Sequence, residues 1–75
     1  MLSRDELTTI INMLNLKVGQ EGNLACFRML NELPDNTKQQ LKSLRIGDVD
    51  HRFSDSLAII FLIWKNDEKT PVYWS

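Results

Sequence analysis

His51 is the residue best suited to acid–base or metal chemistry, and it follows directly after Asp50. A neighbouring carboxylate can orient an imidazole for proton transfer or metal binding. However, one histidine with Asp48 and Asp50 supplies few ligands for a metal, and the spacing lacks the remainder of a calcium-binding loop. We interpret this stretch as a solvated loop, and we expect no catalytic residue, no metal and no cofactor.

Cys26 is the only cysteine in the 75 residues, which excludes an intrachain disulfide and a zinc site built from paired cysteines. It shares a predicted helix face with Phe27 and Leu30, where apolar surroundings raise the pKa of a thiol and limit access to it. The cysteine is therefore predicted to be a core residue. A lone free thiol and an N-terminus without the pattern of a secretory signal favour a cytoplasmic setting.

Three basic residues, Lys38, Lys42 and Arg45, are spaced four and three apart, so they would align along one side of a helix. Such a stripe could contact phosphates without reading sequence. Nine basic and ten acidic residues give a formal charge of -1, which provides no general attraction to nucleic acid. Contact with nucleic acid through this stripe is the alternative functional hypothesis.

The N-terminal half has the pattern of two or three short helices. Ser3 and Glu6 form a predicted capping box before a first helix. A second helix is predicted from Asn23 to just before Pro34, and Asp35 can cap a third that runs to Leu44. The predicted inward positions of these helices are Leu7, Ile10, Ile11, Leu14, Val18, Cys26, Phe27, Leu30, Leu33, Leu41 and Leu44.

Residues 57–64 are eight consecutive apolar residues, and they are the hardest segment to assign. The length of the run and its isoleucines and aromatic residues favour a strand. A loop through residues 66–70 would then lead into a second strand at Val72, Tyr73 and Trp74. The predicted fold is α+β, with two or three N-terminal helices packed on a C-terminal antiparallel β-hairpin. The alternative is an all-α arrangement of four helices, with Ser54 as the cap of the fourth.

An apolar run without a polar face predicts that this single small domain is covered by a partner. We expect a homodimer in which the hairpins pair across a twofold axis. The run is also far shorter than the roughly 20 residues needed to cross a bilayer. The predicted interface residues are Leu57, Ile59, Phe61, Ile63, Trp64, Tyr73 and Trp74. The leading functional hypothesis is a small, non-catalytic cytoplasmic regulator or inhibitor, of bacterial or phage type, that binds a larger protein.

Overall fold

The computed structural model describes residues 2–45 and 52–74. These ranges contain four α-helices: α1 (Arg4–Glu21), α2 (Asn23–Glu32), α3 (Asp35–Lys42) and α4 (Asp55–Asn66). A single 3-10 turn, Val72–Trp74, follows α4. No strand occurs in the described ranges, so the predicted α+β fold with a C-terminal hairpin is wrong. The all-α arrangement, which was the alternative, fits the structure.

The capping box predicted at the start of α1 is confirmed. The Ser3 hydroxyl accepts a hydrogen bond from the Glu6 backbone N–H at 3.1 Å, and the Glu6 carboxylate accepts one from the Ser3 N–H at 2.9 Å. At the other end, Gly22 has a φ of 95°, a conformation that residues with a Cβ rarely adopt. This glycine lets the chain reverse, so that α1 packs against α2.

The ends of α2 and α3 differ slightly from the prediction. Gly22, and not Asn23, is the residue before α2, and it provides no side-chain cap. The second helix ends before Pro34 as predicted, since Leu33 has the extended backbone that a following proline favours. The third helix ends at Lys42, two residues before the predicted end, although Leu44 still packs against the core.

The apolar run is the central part of α4, because the element is longer than the run itself. Ser54 caps the helix by accepting a hydrogen bond from the Leu57 N–H at 3.1 Å, and polar residues complete both of its ends. Its inward side chains fall at helical spacing and pack against α1 and α2. Burial of this stripe outweighs the modest preference of isoleucine and aromatic residues for strands. The stripe consists of Leu57, Ile60, Phe61 and Trp64, and Phe53, which comes just before the helix, is buried in the same core.

The core lies between α1, α2 and α4, and α3 closes one side with Leu41. Cys26 is fully buried in this core beside Phe27 and Leu30, so its predicted position is confirmed. Aromatic rings meet edge to face within the core, as in the 5.1 Å contact between Phe53 and Phe61. The chain after α4 adds to the core through Trp74, whose ring packs against Phe27 at 5.5 Å.

Candidate interaction surfaces

Three of the predicted interface residues lie inside the single chain. Leu57 and Trp64 are fully buried, and Phe61 is 1% exposed. No second chain is needed to remove these side chains from water. The apolar area available for association is therefore much smaller than the sequence suggested.

The opposite side of α4 carries a narrow apolar surface, which we call the outer strip: Ile59, Leu62 and Ile63. Ile59 is 59% exposed, Leu62 is 46% exposed, and Ile63 is half-buried. Their spacing of three and four residues places them on one side of a helix. Exposed polar residues, Asp55 and Asn66, lie one turn beyond each end of the strip. The strip is thus an apolar face with polar ends: Ile59 and Leu62 are exposed on it, whereas Ile63 at its edge also packs against the core.

Leu62 was not among the predicted interface residues. A strand alternates its faces, so the strand interpretation grouped Ile59 with residues two positions away. A helix groups Ile59 with Leu62 and Ile63 instead. The Ser54 cap was a sequence signal in favour of the helix, and on a helix Leu62 falls on the same side as Ile59.

The C-terminal aromatic residues have separate environments. Tyr73 is 77% exposed and meets the ring of Trp74 edge to face at 6.0 Å. Trp74 is half-buried against Phe27. Of this pair, only Tyr73 presents a largely free aromatic surface.

Two members of the basic stripe, Lys38 and Lys42, contact the carboxylate of Glu68. Lys38 Nζ lies 3.6 Å from Glu68 Oε1, and Lys42 Nζ lies 3.3 Å from Glu68 Oε2. Lys38 is also 3.6 Å from Asp35, and the Lys42 ammonium lies 5.1 Å from the centre of the Trp64 ring. These two charges are therefore neutralised within the chain. The third member, Arg45, is exposed beyond the end of α3.

Asn31 joins the lysine cluster to the core, and no sequence motif had identified it. Its side chain accepts a hydrogen bond from the Trp64 indole at 2.9 Å and donates one to the Glu68 carbonyl at 3.0 Å. Its backbone carbonyl accepts one from Lys38 at 3.4 Å. A single residue of α2 thus connects α3, α4 and the chain after α4.

A cleft lies between α1 and α2 and has a volume of about 370 Å³. Its charged lining includes Lys17 and Glu21, which form an ion pair of 2.7 Å. Met29 and Ala25 supply the apolar side chains of its lining. The cleft is open and mainly charged, unlike the apolar, enclosed pockets that hold most small ligands.

No group of metal-ligating side chains occurs among residues 2–45 and 52–74. His51, Asp48 and Asp50 lie outside the described residues. Within the part of the chain that is described, none of the helices combines the length and the apolar character needed to cross a membrane. Comparison of the chain with protein-family models, with curated proteins and with solved structures finds no match.

Proposed function

We propose that this protein is a non-catalytic regulator or inhibitor that binds a larger protein through the outer strip of α4. The observation that carries the proposal is the exposure of Ile59 and Leu62 on a helix whose other side forms the core. A helix of a small domain normally presents a polar face to water. An apolar outer face is typical of a helix that docks into a groove on another protein.

The size of the strip favours a larger partner over a second copy. The exposed parts of Ile59 and Leu62 together equal about one whole side chain, and burying one such side chain contributes about 1.5–3 kcal/mol. Two copies would gain about 3–6 kcal/mol on this basis, against an association cost of about 4–15 kcal/mol. A homodimer that formed through this strip alone would therefore be weak.

A concave partner can contribute more apolar area than a second convex helix. It can cover Ile63 together with Ile59 and Leu62, and it adds the surface of its own groove. Asp55 and Asp67 are exposed acidic residues near the two ends of α4. The partner that fits is a protein with an apolar groove bordered by basic side chains, because opposite charges at the rim favour association.

The proposed setting is the cytoplasm. Cys26 is a free, fully buried thiol, and a chain with a single unpaired cysteine suits a reducing compartment.

The test places a photo-crosslinking amino acid at position 62 and, as a control, at position 16 on α1. Leu16 is exposed to a similar degree, at 61%, but lies outside the strip. In cells of the source organism, we expect position 62 to crosslink to one larger protein and position 16 not to do so. The purified partner should bind the wild type and Leu16→Lys, and it should bind Ile59→Lys at least about tenfold more weakly. Both variants should stay folded, because exposed substitutions change stability little.

Two results would contradict the proposal. One is equal partner binding by Ile59→Lys and the wild type; the other is a crosslink from position 62 to a second copy, seen at twice the 8.7 kDa mass of the chain. A charge at Phe61 would not serve as the test, because Phe61 is part of the core and the variant would unfold.

A further inference from the structure

Lys38 and Lys42 hold one anion between them. Each ammonium group faces a different oxygen of the Glu68 carboxylate, at 3.6 Å from Lys38 and 3.3 Å from Lys42. The carboxylate comes from the chain after α4, whereas both lysines are on α3. The arrangement is that of a two-lysine anion site with an anion from the same chain in it.

The positions of the two ammonium groups also depend on residues other than Glu68. Lys38 donates a hydrogen bond to the Asn31 carbonyl and lies beside Asp35. Lys42 lies over the ring of Trp64, which is fully buried and donates a hydrogen bond to Asn31. Both lysines are mostly shielded, with side chains 20% and 34% exposed. Removal of the Glu68 charge would therefore leave two cations in place and facing the same point.

A phosphate group suits this site. It carries several oxygens, so it can accept hydrogen bonds from both lysines at once, and lysine is a frequent phosphate ligand. The cleft around the lysine pair has a volume of about 190 Å³, several times the ~30 Å³ that one water molecule occupies. The cleft has room for a phosphate once the Glu68 side chain moves away.

We propose that Lys38 and Lys42 form a phosphate-binding site and that Glu68 is its internal competitor. Binding of a phosphate displaces the Glu68 carboxylate and loosens the hold of α3 on residues 67–74. The phosphate belongs either to a free polyphosphate or to a nucleic-acid strand, which share this chemistry. The site lies on α3, so it does not depend on the docking strip of α4.

The experiment measures binding of two probes, tripolyphosphate and a 12-nucleotide single-stranded DNA, by calorimetry at low salt. Glu68→Gln should bind at least one probe about tenfold more tightly than the wild type does. Adding Lys42→Gln to that variant should abolish the gain. With the DNA, two phosphate contacts predict a slope of roughly -1.4 for the logarithm of the binding constant against the logarithm of salt concentration. A gain for tripolyphosphate alone identifies free phosphate as the ligand, and a gain for the DNA identifies the strand.

The matched control is Glu32→Gln, which changes the net charge by the same amount at an exposed position of α2. Equal gains in the two glutamine variants would overturn the proposal, because the effect would then be one of net charge. A folded Glu68→Gln variant with wild-type affinity would also overturn it, as would a gain that survives Lys42→Gln.

A measurement on the wild type keeps the proposal testable if Glu68→Gln does not fold. Trp74 is half-buried in the C-terminal segment, and Trp64 is shielded from solvent. Saturating tripolyphosphate should therefore increase quenching of tryptophan fluorescence by acrylamide, as Trp74 becomes accessible. Unchanged quenching at every phosphate concentration would overturn the proposal.

Discussion

The indole nitrogen of Trp64 donates a hydrogen bond of 2.9 Å to the side-chain oxygen of Asn31. Trp64 is fully buried, and a buried indole N–H needs an acceptor because leaving it unpaired is costly. The same Asn31 amide donates to the Glu68 carbonyl at 3.0 Å. This one side chain therefore provides the hydrogen-bond acceptor that the indole of the largest core residue needs, and it attaches the C-terminal segment to α2.

Asn31→Ala should lower the free energy of unfolding by about 1–3 kcal/mol, because it leaves the Trp64 N–H without its acceptor. Chemical denaturation followed by circular dichroism measures the change. Asn12→Ala is the control, since Asn12 is exposed on α1 and its replacement brings a similar gain in helix propensity. The control should change stability by less than about 0.5 kcal/mol. Equal effects of the two substitutions would show that the Trp64–Asn31 bond is not important for stability.

Ser54→Ala should lower the free energy of unfolding by about 0.5–2 kcal/mol, because it removes the oxygen that caps α4. Ser56→Ala is the matched control: Ser56 is exposed in the first turn of the same helix and does not cap it. Thermal or chemical unfolding compares the two variants, and the control should stay within about 0.5 kcal/mol of the wild type. A hairpin has no helix cap at Ser54, so it predicts no larger loss of stability for Ser54→Ala than for Ser56→Ala. Equal losses in the two variants would therefore argue against the helix.

Cys26 should make stability fall as the pH rises from about 9 to about 11. Burial raises the pKa of its thiol to about 11 from an ordinary value of 9.0, and the charge of Lys17 acts in the opposite direction. The unfolded chain loses this proton at lower pH than the folded chain does. The contribution of the protonated Cys26 thiol to the free energy of unfolding is therefore complete below pH 9 and is lost as the pH approaches 11.

The measurement compares the free energy of unfolding at pH 8 and pH 10 in the wild type and in Cys26→Ala. The wild type should lose more stability over this interval, because the variant has no thiol to titrate while its other titrating groups are the same. Identical losses would mean that the thiol does not have a raised pKa in the folded protein.

The local signals near the N-terminus were sufficient to predict α1 and the core position of Cys26. A capping box depends only on residues three apart, and Ser3 and Glu6 form it as expected. Helical spacing likewise placed Cys26 and Phe27 on an inward face, which the structure confirms. Such features can be read from the sequence because they rest on contacts within one or two turns of the chain.

The assignment of α4 needed the tertiary structure. The apolar run is compatible with either a strand or a helix, since its residues offer no polar face in either form. Contact with α1 and α2 decides between them, because the helix buries Leu57, Phe61 and Trp64 together. A strand would have turned Leu57 and Trp64 to opposite sides. The predicted interface residues were chosen on the strand interpretation, and three of them are buried within the single chain.

The sequence alone determined the first helix, the buried thiol and a surplus of apolar side chains near the C-terminus. The tertiary structure decided how much of that surplus reaches the surface, and it brought Glu68 to Lys38 and Lys42 and Asn31 to Trp64. The partners in these pairs lie some 26 to 33 residues apart in the chain. Local patterns do not encode such pairings, because they arise only when separate helices pack around a common core.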